Sequence, residues 1–170
     1  MSSPIRTYIG LGSNLNHPPR QIQRALHALS TLPQTELVNH SCWYRSAAIG
    51  PGQQPDYING AAAMDTRLSP EALLDGLLKI ESNQGRARGE RWAARTLDLD
   101  ILLYGDQIVA TDRLKIPHPR LKQRNFVLYP LSDLAPQLVL PDGQALKDLV
   151  AKCGMDGMEK LGRDLEEIHL

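Results

Sequence analysis

The sequence predicts an α+β fold, a mostly antiparallel sheet with helices packed on its faces. Segments of strand-like and helix-like spacing alternate along the chain, and several neighbouring strand segments are joined by loops too short for a parallel crossover. At 170 residues, 42% of them hydrophobic, the chain also has the size and the apolar content of one domain around a single core.

Residues 5–11 alternate as a first strand, ending in Gly10-Leu11-Gly12-Ser13-Asn14. That motif reads as a tight strand-to-helix turn. It lacks the Gly-Lys-Ser/Thr ending of a P-loop, which argues against a Walker-type nucleotide site. Pro18 and Pro19 open a helix whose Ile22, Ala25, Leu26, Leu29 and Leu32 recur on one face, and Pro33 stops it. Residues 36–46, with Val38, Cys42, Trp43 and Tyr44, read as a second strand, and 48–57 as a loop rich in Gly and Pro. A third strand covers 58–66. Ser69-Pro70-Glu71 is a helix start, with a capping hydroxyl, a proline in the first turn and a carboxylate at the positive end of the dipole. Leu73, Leu74, Leu77, Leu78 and Ile80 lie on or near one side of that helix, which runs out at Gln84-Gly85.

An arginine-rich segment, 86–95, precedes a strand over 97–104, and Gly105-Asp106 turns the chain. Residues 107–116 supply one or two short strands. Pro117-His118-Pro119 breaks the pattern before one or two short helices through Leu134. Residues 138–140, the turn Pro141-Asp142-Gly143 and a helix over 145–153 complete the core of a single domain spanning 1–170. Residues 154–170 are polar with scattered apolar side chains and read as a less ordered tail.

Lys plus Arg and Asp plus Glu both number 19, so formal net charge is zero. A dedicated nucleic-acid binder carries a basic excess, and none is present. Cys42 and Cys153 match no metal or redox spacing and read as reduced cytosolic thiols. Neither a signal-peptide pattern nor a membrane-span pattern is present, so a cytoplasmic protein without a membrane partner is expected.

The chemistry concentrates in Leu97-Asp98-Leu99-Asp100-Ile101-Leu102-Leu103. On a strand, Leu97, Leu99, Ile101 and Leu103 share one face, while Asp98, Asp100, Leu102 and Tyr104 share the other. The two aspartate Cα atoms are then roughly 7 Å apart. Carboxylates this close resist desolvation unless a cation or several donors lie between them. Magnesium takes oxygen ligands and keeps waters, leaving room for substrate phosphates. The bland alternative is a solvated pair, or one bound to nearby arginines for structural reasons.

Arg86, Arg88, Arg91 and Arg95, interspersed with Gly85 and Gly89, come just before those aspartates. A solvated loop would explain them. Guanidinium forks also bind phosphates bidentately, and a glycine-containing loop can close over a triphosphate. Trp92 would either exclude water or anchor the segment, and His118 and Arg124 add candidate phosphate donors. Carboxylates, metal and arginines together suit phosphoryl-type transfer.

The stretch Arg91-Trp92-Ala93-Ala94-Arg95-Thr96-Leu97-Asp98-Leu99-Asp100-Ile101-Leu102 resembles the signature of the 6-hydroxymethyl-7,8-dihydropterin pyrophosphokinase family. Further landmarks follow in order: Gly12-Ser13-Asn14-Leu15, Gly50-Pro51, Gln54-Pro55-Asp56-Tyr57-Ile58-Asn59, Ile80-Glu81, Gln84-Gly85-Arg86-Ala87-Arg88, Ile116-Pro117-His118 and Pro141-Asp142-Gly143. The resemblance spans about the first 150 residues. It implies a ferredoxin-like core in a three-layer α/β/α sandwich. It also implies transfer of pyrophosphate from ATP to the pterin's hydroxymethyl oxygen, giving AMP, in folate biosynthesis.

By the same resemblance, two magnesium ions are held by Asp98 and Asp100. Arg86 and Arg95 contact the phosphates during transfer, and Arg88, His118 and Arg124 make further phosphate or loop contacts. Ile101, Arg113 and Lys115 lie near the adenine and ribose. Tyr57 and Phe126 stack on the pterin, Asn59 pairs with its edge, Ser46 and Ile49 flank it, and Trp92 seals the site. The only partners implied are the small-molecule substrates, ATP and the pterin, acting on a monomer. Some positions depart from the family pattern. Gly89-Glu90 is a shortened loop lacking a lysine, Ala47, Ala48 and Ala94 stand where prolines are frequent, and Pro119 where an aromatic is common. None of these removes a metal ligand. Two rival readings remain: another metal-dependent enzyme with an Asp-x-Asp pair, and an RNA-binding domain using the arginine segment.

Overall fold

The computed structural model describes residues 3–47, 55–85 and 96–168. Its first strand is β1 (Ile5–Ser13), whose Tyr8, Ile9 and Leu11 are all buried. Helix α1 (Pro18–Ser30) follows, and then β2 (Thr35–His40), β3 (Trp43–Ser46) and the long β4 (Tyr57–Thr66). Helix α2 (Pro70–Asn83) starts as the sequence dictates, with the Ser69 hydroxyl accepting the Ala72 backbone N–H. The chain continues through β5 (Asp98–Tyr104), a small hairpin of β6 (Val109–Ala110) and β7 (Lys115–Ile116), α3 (Asn125–Leu134), α4 (Leu146–Cys153) and β8 (Met158–Gly162). The main sheet runs β5-β1-β4-β3-β8, with β2 also paired to β4, and every pairing is antiparallel.

Two apolar layers sandwich this sheet. Ile9, Leu11, Ile58, Met64 and Ile101 bury one face beneath α1 and α2. Tyr8, Ala61, Ala63, Leu102 and Leu103 bury the other beneath α3 and α4. This is the expected α/β/α architecture. Among the described residues no helix is long and apolar enough to cross a membrane.

Four details differ from the sequence reading. Gly10 and Gly12 lie inside β1, opposite residues of both β4 and β5, rather than in a turn. The chain turns later, where Asn16 and His17 take left-handed φ values of 57° and 61°. The single strand expected over 36–46 divides at Ser41. There the backbone N–H donates to the Ala61 carbonyl (2.8 Å), while the hydroxyl accepts the Ala61 N–H (2.9 Å). One residue's side chain thus completes the ladder and lets the chain bend.

The alternation expected along 97–104 breaks as well. Tyr8 pairs with Leu103 but Ile9 pairs with Ile101, so Leu102 is the extra residue of a β-bulge. Leu102 and Leu103 both join the layer under α3, and Tyr104 turns to the opposite face, where its hydroxyl donates to the Leu68 carbonyl. Finally, the segment after 154, read as a tail, supplies β8 on the free edge of β3.

A polar cluster around the buried Tyr44 holds that edge. The Tyr44 hydroxyl donates to Asp133 on α3 (2.6 Å), Asp133 also accepts the Cys42 N–H (3.3 Å), and Lys160 of β8 approaches it to 3.8 Å. Burial, and then the Asp133 carboxylate, raise the Tyr44 pKa well above its ordinary value. An acid whose pKa is raised by folding stabilises the native state below its unfolded pKa, and that contribution is lost as pH rises past about 10. Tyr44→Phe is therefore expected to cost about 1 kcal/mol at neutral pH. It should also flatten the decline in stability above pH 10 in denaturant titrations.

Candidate active site

The strand register builds the site. Asp98 lies opposite Gly12, which lies opposite Asn59 on its other side, and Asn59 in turn lies opposite Tyr44. One step along, Asp100 lies opposite Gly10 and Gly10 opposite Ala61. Directly opposed residues of antiparallel strands share a face. The carboxylates and Asn59 therefore stand on the same side of the sheet, about 10 Å apart across β1 given two strand spacings. Between them the two glycines leave bare backbone. A Cβ at Gly12 would sit 3.0 Å from Asn59 Oδ1, and one at Gly10 would sit 3.3 Å from the Leu102 side chain. Asn59 is itself fixed, since its amide donates to the Ser46 hydroxyl (2.7 Å).

Above this floor is a cavity of about 510 Å³, within the range of small-ligand sites. Ser46, Tyr57 and Asn59 line one end, Asp98 and Asp100 the other, and His118, Arg120, Arg124 and Phe126 the roof. His118 is placed by its backbone N–H, which donates to the Leu102 carbonyl (3.1 Å). Its Nδ1 accepts the Arg120 backbone N–H (3.2 Å), so the neutral ring carries its proton on Nε2, 3.9 Å from Asp100 Oδ1. Burial, then the Arg124 cation, hold the His118 pKa below its ordinary value against the pull of Asp98. The ring is thus a neutral donor aimed at the carboxylate end.

Burial also lowers the Arg124 pKa, opposed first by Asp100, but an arginine stays charged across the ordinary pH range. Its guanidinium lies 5.4 Å from the Phe126 ring centroid, which holds the two side chains together.

The cavity also wraps round the sheet edge at β5. Leu74, Leu78 and Glu81 of α2 line it there, beside Leu99. Glu81 is buried, and its carboxylate accepts the Leu99 backbone N–H (2.7 Å), the outward-pointing group between the two aspartates. Among the described residues no three His, Cys, Asp or Glu side chains group as a metal site. Asp98 and Asp100 suit a hard cation that brings waters and phosphate oxygens as its remaining ligands.

Of the residues singled out in the sequence, Ser46, Tyr57, Asn59, Asp98, Asp100, His118, Arg124 and Phe126 meet in this one cavity. Ile49, Arg86, Arg88, Arg91, Trp92 and Arg95 lie outside the described residues. Ile101 buries its side chain beneath α1 and α2. Arg113 bonds Glu71 (2.9 Å) and Asp75 of α2, and the Lys115 ammonium donates to the Thr111 carbonyl (3.1 Å). The sequence reading missed Gly10 and Gly12 as a floor, and also Arg120, and it noted Glu81 within a motif without giving it a role. Glu81 left a signal, because it continues the buried spacing Leu73, Leu77, Ile80 by one position.

Fold and cavity together define an antiparallel α/β/α domain whose cleft sets carboxylates and cations at one end and aromatic rings at the other. Residues 8–136 match the family model described as 7,8-dihydro-6-hydroxymethylpterin-pyrophosphokinase (HPPK). The chain belongs to this family. It is 54% identical over 156 residues to the 2-amino-4-hydroxy-6-hydroxymethyldihydropteridine pyrophosphokinase of Pseudomonas aeruginosa, covering 92% of this chain and 96% of that one. The protein of the same name from Haemophilus influenzae is 50% identical over 157 residues, covering 92% of this chain and 98% of that one. Among solved structures, wild-type Plasmodium falciparum HPPK-DHPS with pterin and p-hydroxybenzoate shares the fold, with a TM-score of 0.75 at 12% identity. That match covers 94% of this chain and 45% of the longer Plasmodium chain.

Gly12→Ala is expected to push the Asn59 side chain off Ser46 while costing no more than about 2 kcal/mol. In an amide NMR spectrum the Asn59 side-chain NH₂ pair should move, whereas an unmoved pair would show that the space tolerates a methyl group.

Proposed function

We propose that this chain transfers the pyrophosphoryl group of ATP to 6-hydroxymethyl-7,8-dihydropterin, giving the pterin diphosphate and AMP in folate biosynthesis. Family membership supports the reaction class. One further observation carries the assignment to this cavity: the aspartate pair and the Tyr57, Asn59 and Phe126 side chains share one cleft over the glycine floor. In the reaction, the hydroxymethyl oxygen forms a bond to the β-phosphorus. The bond from that phosphorus to the α-phosphate bridging oxygen breaks, AMP leaves, and the hydroxyl proton passes to solvent.

The residues divide this work. Tyr57 and Phe126 take opposite faces of the flat pterin, and the Asn59 amide, offering both a donor and an acceptor, pairs with its edge. Ser46 and Ile49 flank the ring through backbone groups, and Trp92 excludes water. Asp98 and Asp100 would hold magnesium, two ions in this reading, which when bound neutralises phosphate charge and acidifies the hydroxyl. Arg86 and Arg95 stabilise the charge that develops on the transferring phosphates, and Arg88, His118 and Arg124 orient them.

The outward edge of β5 at Ile101 follows Leu99 by the strand period of two. It offers backbone groups to the adenine beside the apolar Leu74 and Leu78. Arg113 and Lys115 would reach the nucleotide by exchanging their present partners, Glu71, Asp75 and Thr111.

Product analysis tests the proposal. The protein with ATP, magnesium and the pterin should form AMP only when pterin is present, and Asp98→Ala should lower the rate about a thousandfold. ADP in place of AMP would refute pyrophosphoryl transfer, and turnover without pterin would refute the acceptor.

A further inference from the structure

Ser13 and Asn14 end β1 beyond its glycine floor, and both are buried, at 0% and 1% exposure. On the β5 side the ladder stops at the pair Gly12 and Asp98. One residue further on, the Ser13 hydroxyl donates to the Thr96 backbone carbonyl at 2.5 Å. On the β4 side the ladder stops at the pair Ser13 and Ile58. One residue beyond it, the Asn14 side-chain amide donates to the Pro55 backbone carbonyl at 3.1 Å. In each direction a side chain thus takes over from the backbone where strand pairing ends. Pro55 has no N–H and could not extend a ladder as donor.

The two carbonyls hold equivalent places. Thr96 precedes Asp98 by two residues, and Pro55 precedes Tyr57 by two. We propose that Ser13 and Asn14 are positioning residues, Ser13 setting the approach to the carboxylate pair and Asn14 the approach to the aromatic end of the cleft. Assigning those ends to metal-nucleotide and pterin rests on the function proposed above. A role confined to filling polar valences would perturb both ends alike, since both side chains belong to one strand terminus. Two separate tethers perturb one end each.

Amide hydrogen exchange on the ligand-free, full-length chain separates these cases. Ser13→Ala should speed exchange at Asp98 and Leu99 about tenfold and leave Tyr57 and Ile58 within about twofold, with Asn14→Ala doing the reverse. Should an alanine variant not fold, Ser13→Cys, which leaves only a weak donor, or Asn14→Ser, which shortens the side chain, makes the same comparison. Calorimetric titrations then read the ligands. Magnesium with a non-hydrolysable ATP analogue should bind Ser13→Ala about tenfold more weakly, and pterin at saturating analogue should bind Asn14→Ala about tenfold more weakly. Ser13→Thr, which keeps the hydroxyl, should restore the first.

Equal perturbation of both ends by either variant, or perturbation of neither, overturns the proposal. A parent protein that binds neither ligand would instead refute the proposed function, and the exchange data would still decide between one tether and two.

Discussion

The register of β1 between β4 and β5 is the constraint on which the site depends. Strand side chains alternate, so sliding β1 by one residue would exchange Gly10 and Gly12 for Ile9 and Leu11 beneath the cavity. What prevents the slip is the opposite face of the sheet. Ile9 and Leu11 are buried under α1 and α2, and each contributes about 2 kcal/mol through that burial. The apolar packing of one face therefore fixes the polar geometry of the other. Trp43 adds a second lock: its ring covers Gly60, where a Cβ would lie 2.3 Å away. That places Asn59 and Ala61 on the site face.

With the register set, each charged group is held by a neighbour that cannot easily move. Asp98 and Asp100 extend from an edge strand whose outward N–H between them is bound by the buried Glu81. His118 hangs from the carbonyl of Leu102, the bulged residue of that same strand. Without the bulge, Leu102 and Leu103 could not both face α3, and the carbonyl that holds His118 would point elsewhere. Arg124 sits at the start of α3 against Phe126, joining the cationic and aromatic ends of the roof. Burial keeps the histidine neutral, so the roof offers a neutral donor beside a permanent cation, both suited to donate to phosphate oxygens.

Much of this was legible in the residues. Period-two alternation in Leu97-Asp98-Leu99-Asp100 put both carboxylates on one face, and the 3.6 period of α1 and α2 located their buried sides. The buried position of Glu81 was written in the same helical period. The bulge at Leu102 was not legible, because it arises from matching two strands of different pleat and leaves no mark in one of them. Gly10 and Gly12 misled for a related reason. A glycine pair suggests a turn when local preference is all one can read, whereas these two are needed for the space above them, which only β4 and β5 reveal. The pairing of Arg113 with α2, and of β8 with the free edge of β3, likewise depends on tertiary neighbours.

The most direct measurement is a crystal structure with magnesium, a non-hydrolysable ATP analogue and the pterin bound together. If the glycine floor organises the site, the pterin lies over the β1 backbone at Gly12 between Tyr57 and Phe126, its edge on Asn59, and the metal contacts Asp98 and Asp100. A pterin bound elsewhere, or a metal held away from both aspartates, would contradict that organisation.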